Sequence, residues 1–145
     1  MSSKVGSILG YLIAVAGLLF LFYTNTIFSR DPAAGAIQIL AFVLMIWARI
    51  TFKQRSFHLT AEPTDGGIVK DGPYKFLRHP IYAAIIYFGW ACLLGHPRVE
   101  VFVAAAFITI GLHIRIVLEE KELLKVYPEY AEYSKQARRL IPFVY

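Results

Sequence analysis

The sequence predicts an all-α integral membrane fold of about four transmembrane helices, with a cytoplasmic loop and a C-terminal amphipathic helix. Composition is the first reason. The 145-residue chain is 57% hydrophobic and only 17% charged, whereas soluble domains carry about half apolar and about a quarter charged residues. The second reason is distribution. The apolar residues lie in long runs without charge, such as Ile8 to Tyr23 and Ile37 to Ala48. A chain this short cannot bury several such runs in a water-soluble core, because small domains bury too little of their surface. The third reason is the placement of the basic residues, which flank the apolar runs as the positive-inside rule requires.

The first helix is expected over Val5–Tyr23, retained in the chain because no small-residue cleavage site follows it. Thr24–Pro32 holds the breakers Asn25, Asp31 and Pro32 and reads as a turn. The second helix is expected over Ala33–Phe52. The stretch Lys53–His79 is rich in Gly, Pro and Asp and cannot be one helix. Pro80 suits the first position of a third helix that ends near Gly95. After a tight His96-Pro97 turn, a fourth helix starts near Val99, stays apolar to about Ile114 and continues as a charged helix towards Pro128. In Glu129–Leu140, Tyr130, Tyr133, Ala137 and Leu140 recur at helical spacing and give one apolar face.

The third and fourth apolar runs are about 16 residues, or about 24 Å, against a hydrocarbon core of about 30 Å. Local thinning and snorkelling accommodate such a mismatch. The sharper reading puts polar residues at the inner ends of these helices at membrane depth, where they are costly and usually functional.

Thirteen of the 15 Lys and Arg residues fall on one side of a four-span arrangement, and only Arg30 and Arg98 on the other. Both termini and the long loop are therefore expected on the cytoplasmic face. Basic residues spread in this way form no nucleic-acid patch, despite the net charge of +5. Membrane lipids and a lipid-soluble substrate are the expected partners. Cys92 lies inside an apolar run and reads as a small core residue. The four histidines are scattered over different segments, so no zinc site is expected.

Two segments carry more polar chemistry than topology needs. In Gly72–Tyr82, Arg78 and His79 precede a helix whose first residue is Pro80. The free N–H groups of that helix start favour an anion, and Tyr74 and Tyr82 offer rings with polar tips. The plain alternative makes Arg78 a positive-inside anchor, the tyrosines an aromatic belt and His79 a cap. In the second segment, Arg115 and Glu119 share a helix face at i, i+4. Alone they read as an intrahelical ion pair. Both segments meet at one membrane face, and together they provide a site for a polar cofactor beside a lipophilic substrate.

These residues also carry a family resemblance. Ile68-Val69-Lys70-Asp71-Gly72-Pro73-Tyr74 is followed by Arg78-His79-Pro80-x-Tyr82 and Arg115-x-x-x-Glu119-Glu120-x-x-Leu123. Glu129-Tyr130-x-x-Tyr133 and Ile141-Pro142-Phe143 come last. The combination resembles the isoprenylcysteine carboxyl methyltransferase family, whose broader relatives are membrane phospholipid methyltransferases. The chain then divides into an N-terminal helical hairpin, 1–52, without motifs, and a catalytic core, 53–145, within a single membrane domain 1–145.

The resemblance implies S-adenosylmethionine as cofactor and S-adenosylhomocysteine as product. It implies a cofactor pocket formed by Ile68, Val69, Tyr74, Arg78, His79, Pro80, Ile81, Tyr82, Glu119 and Glu120, with Arg115 as the catalytic residue facing the acceptor. Pro128 stands where the family usually has Gly, and the chain has fewer helices than the eukaryotic enzymes. These departures bear on the acceptor, which is left as a prenylcysteine-like carboxylate, a phospholipid amine or a small thiol. The rival from another class is a non-enzymatic helical membrane subunit.

Overall fold

A computed structural model of the chain describes residues 3–52 and 67–145. The helices are α1 (Ser3–Tyr23), α2 (Pro32–Phe52), α3 (Pro80–Gly95), α4 (Val99–Val126) and α5 (Tyr130–Gln136), and a short 3-10 turn spans Gly72–Lys75. Most of the polar loop, 53–66, with Lys53, Arg55, Ser56 and His58, lies outside the described residues.

Three helices, α1, α2 and α4, are long and apolar enough to cross a membrane, and α3 is a shorter apolar helix of 16 residues. They fit a multi-pass integral membrane protein. The expected α3 boundaries agree with those observed, because Pro80 opens the helix and the His96–Arg98 turn closes it. α2 begins one residue earlier than expected. Asp31 caps it, accepting the Ala34 N–H at 2.8 Å, and Pro32 takes the first helical position.

The two N-terminal helices do not lie mainly on each other. α1 packs along α4, α4 on α3, and α3 on α2, giving the spatial order α1–α4–α3–α2. Small residues permit the first contact. A methyl group on Gly10 would strike Gly111 O, and one on Gly17 would come within 2.9 Å of Ala104 O. Ser7, Ala14 and Leu21 recur at seven-residue spacing on the same α1 face and are buried. Close backbone approach is how helices gain packing energy where lipid offers no hydrophobic drive. At the opposite end of the bundle from the site, buried Gln38 donates to Ile27 O at 2.8 Å and to Cys92 Sγ at 3.4 Å. This ties the α1–α2 turn to α3, with Cys92 fully buried in the core as its apolar setting predicts.

The C-terminal segment departs from expectation. Helical spacing extends to Leu140, but α5 stops at Gln136 and Ala137 is extended. The tail's backbone is claimed by the loop before α3. Arg138 N–H donates to Phe76 O at 3.0 Å, Arg78 N–H to Arg138 O at 2.6 Å, and His79 N–H to Arg139 O at 3.2 Å. Leu77 and Arg138 form a parallel bridge. Tyr87 of α3 adds a hydrogen bond to Leu140 O. The apolar face is kept, since Tyr130, Tyr133, Ala137 and Leu140 are all buried, but a two-stranded contact replaces the last helical turn.

Candidate active site

The loop before α3 is seated from its glycine. Gly72 has φ of +56°, and a Cβ there would lie 2.6 Å from Thr51 Oγ1 and 3.1 Å from Trp47 Nε1 of α2. Only glycine meets both demands cheaply. The 3-10 turn that follows buries Tyr74, whose ring lies 5.4 Å from that of Phe52. Tyr133 of α5 donates its hydroxyl to Tyr74 O at 2.7 Å. Burial first, and then the charge of Glu119, push the Tyr74 hydroxyl well above the ordinary phenol range. Burial does the same to Tyr130 and Tyr133. All three therefore remain neutral phenols, and Tyr74 lies within the field of Glu119.

Glu120 is the charged hub. Its Oε1 receives Arg78 Nη1 at 3.1 Å and His79 Nε2 at 3.2 Å, and its Oε2 receives Arg139 Nε and Nη2, each at 3.0 Å. A carboxylate only accepts, so His79 Nε2 is the donor. The His79 ring stacks on Tyr82, with centroids 5.6 Å apart and planes 5° from parallel. The hub joins the loop, α4 and the tail through one buried carboxylate. The bond to Glu120 also raises the Arg139 guanidinium above its ordinary value.

One helical step away, the Tyr82 hydroxyl joins Arg115 to Glu119. Arg115 Nε donates to it at 2.7 Å, and it donates to Glu119 Oε2 at 2.9 Å. Arg115 is only 4% exposed. Its guanidinium carbon lies 5.9 Å from the Tyr82 ring centroid and 5.6 Å from that of Tyr11 on α1. Two buried polar atoms of this neighbourhood, Arg78 Nε and the Tyr130 hydroxyl, have no hydrogen-bond partner among the described residues. Orphaned polar atoms are costly in a folded interior, and they fit a site built to receive a polar ligand.

The structure thus brings Tyr74, Arg78, His79, Tyr82, Arg115, Glu119 and Glu120 to one end of the helices. Pro80 is buried at the start of α3, and Ile81 follows it half-buried. Ile68 packs on the Tyr130–Tyr133 cluster, and Val69 is half-buried beside it in sequence. Both oxygens of Glu120 are taken up by cations of the chain itself. Sequence reading did not single out Arg139, Tyr11 or the unpartnered Tyr130 hydroxyl. Arg139 entered only as one charge among the thirteen. Tyr11 had a faint signal, since it adjoins Gly10, which repeats at Gly17.

Known proteins bear on this arrangement. The profile of the isoprenylcysteine carboxyl methyltransferase family matches residues 34–125. The chain is 32% identical over 113 residues to a methanethiol S-methyltransferase of Pseudomonas deceptionensis, covering 74% of this chain and 41% of that protein. It is 38% identical over 74 residues to methanethiol S-methyltransferase 1 of Bradyrhizobium diazoefficiens, covering 48% of this chain and 24% of that one. A methanethiol S-methyltransferase of Crocosphaera subtropica is 35% identical over 72 residues, 49% of this chain and 28% of the relative. The chain therefore aligns with less than half the length of each of these relatives. No solved structure matches it significantly. The profile covers well over half of the chain, takes in α3 and nearly all of α4, and holds the Tyr74–Glu120 constellation, so this protein belongs to the isoprenylcysteine carboxyl methyltransferase family.

Proposed function

We propose that the chain is an integral-membrane methyltransferase that uses S-adenosylmethionine and methylates a lipophilic acceptor at the cytoplasmic membrane face. The observation that carries the reading is Arg115. It lies 16 residues beyond the start of α4, about 24 Å into a helix crossing a core of about 30 Å. A buried guanidinium there is expensive, and it is coupled through one tyrosine hydroxyl to a carboxylate beside a cage of aromatic and cationic groups.

When bound, S-adenosylmethionine would supply an electrophilic methyl group, to which an acceptor lone pair would bond in line as the thioether sulfur leaves with the carbon–sulfur pair. The residues present suit such a ligand. Arg78 and the start of α3 offer positive potential for its carboxylate. Glu119 accepts from amino or hydroxyl donors, and Tyr74 offers an aromatic face beside it. Glu120 holds Arg78, His79 and Arg139 in place. The chain's contribution is alignment and exclusion of water rather than a strong base.

Arg115 discriminates among acceptors. A guanidinium attracts an anionic nucleophile by charge-assisted contact and repels a protonated amine, so a carboxylate or thiolate is favoured over a phospholipid amine. A thiol acceptor releases its proton to water on becoming the attacking thiolate, a step that a neighbouring cation eases. The relatives named methanethiol S-methyltransferases favour the small thiol as the second reading.

The test is mass spectrometry of purified protein in lipid with isotope-labelled S-adenosylmethionine. Methanethiol, N-acetyl-S-farnesylcysteine and phosphatidylethanolamine serve as acceptor probes. Label is expected on the thiol or the carboxylate and not on the amine. Absence of label from all three would contradict the enzymatic reading and favour a non-enzymatic subunit.

A further inference from the structure

We propose that α1 completes the acceptor side of the site, with Tyr11 as a positioning residue that fixes the guanidinium of Arg115. The proposal rests on the acceptor-orienting role given to Arg115 above. None of the sequence motifs lies within α1, and the family profile begins at residue 34.

The geometry starts from a glycine pair. A Cβ on Gly10 would strike Gly111 O and lie 3.5 Å from both the Arg115 backbone nitrogen and Ile114 Cβ. The backbones of α1 and α4 therefore meet one turn before Arg115. Seven residues on, Gly17 lies against Ala104 and Ile108. Two such points fix the register of the antiparallel pair. That register puts the next α1 residue, Tyr11, over the guanidinium, with 5.6 Å between the Arg115 carbon and the ring centroid.

The other ring over the same group is Tyr82, which comes from α3. Arg115 thus takes rings from both helices that pack on α4. A hydrogen bond from Nε to Tyr82 sets one edge of the guanidinium. The Tyr11 ring packs on the same group from the α1 side, so the guanidinium is bounded by rings from two helices. Cation–π attraction is strongest where the cation is desolvated, and Arg115 is almost fully buried. Orientation matters here because the fork must present its charge to an acceptor in line with the methyl group.

The plain alternative is that Tyr11 is an interfacial aromatic anchor, since 38% of it is exposed. An anchor acts on insertion and stability and has no preference between donor and acceptor. A positioning residue acts on the acceptor step alone. It also needs an aromatic face and not a hydroxyl.

The experiment uses the full chain in lipid nanodiscs, with methanethiol and N-acetyl-S-farnesylcysteine as acceptor probes. S-adenosylhomocysteine calorimetry reads the donor side. Tyr11→Leu is expected to lower acceptor kcat/KM by roughly tenfold or more while leaving S-adenosylhomocysteine affinity within about twofold. Tyr11→Phe, which keeps the ring, restores most of that loss. Should Tyr11→Leu fail to fold, Tyr11→Met reads the same contact without a ring. The inference is overturned if the ringless variant turns over like wild type, or if it loses donor affinity in proportion to turnover. Arg115→Ala separates the two ideas. If it loses turnover while Tyr11→Leu keeps it, only the role of Tyr11 fails. If Arg115→Ala turns over like wild type, the acceptor role of Arg115 fails and the inference fails with it.

Discussion

Tyr130 and Tyr133 sit one turn apart on α5 and are both buried, but their hydroxyls are used differently. That of Tyr133 donates to Tyr74 O at 2.7 Å, and that of Tyr130 has no partner among the described residues. Tyr133→Phe therefore leaves a buried carbonyl unsatisfied, at a cost of about 1–3 kcal/mol, and should lower the thermal midpoint in detergent. Tyr130→Phe should leave the midpoint unchanged and yet weaken S-adenosylhomocysteine binding, since its unpartnered hydroxyl lies beside the proposed cofactor site. Equal effects of the two changes on stability would contradict this division. The sequence made part of the residue pattern legible. The i, i+4 spacing of Arg115 and Glu119 is readable on a single helix. The Tyr82 hydroxyl that joins them comes from α3, and no periodicity reports how α3 and α4 pack. Arg139 was equally hidden, because its partner Glu120 is 19 residues away in sequence.

Among the elements, α3 was the most legible, because Pro80 and the His96–Arg98 turn state both of its ends chemically. The charged continuation of α4 was also readable, with Pro128 just beyond its last turn. The tail was not. Its apolar spacing suits a helix, but 138–139 gives its backbone to 76–79, and long-range pairing leaves no local mark. This cap on the site has an alkaline signature. Tyr74, Tyr130 and Tyr133 are raised above the ordinary phenol value of 10.0, chiefly by burial. In the unfolded chain these phenols ionise near that value while the folded chain keeps their protons. The stability they contribute is thus whole below pH 10 and is lost as pH rises further. A titration followed by phenolate absorbance and thermal midpoint should show the three ionising only as the cap opens. A Tyr133 phenolate appearing near pH 10, read as the difference from Tyr133→Phe, with an unchanged midpoint would contradict their burial.

For the whole molecule, the sequence made the membrane class legible through its apolar runs. The order α1–α4–α3–α2 was not legible, because it depends on glycine contacts between helices distant in the chain. The thirteen-to-two split of basic residues gives the proposed orientation, with α5 and the site facing the cytoplasm. Ala131→Cys, at an exposed position of α5, should resist a membrane-impermeant thiol reagent in intact cells and react after lysis. Cys92 is buried and should add little background. Labelling in intact cells would reverse the orientation. Calorimetry of the purified chain with S-adenosylhomocysteine tests whether the cluster of Tyr74, Arg78, His79, Tyr82 and Glu119 holds S-adenosylmethionine, as proposed. Saturable binding is expected for wild type, much weaker binding for Glu119→Gln, and nearly intact binding for Arg115→Ala. No binding by wild type, or wild-type affinity in Glu119→Gln, would contradict the proposal.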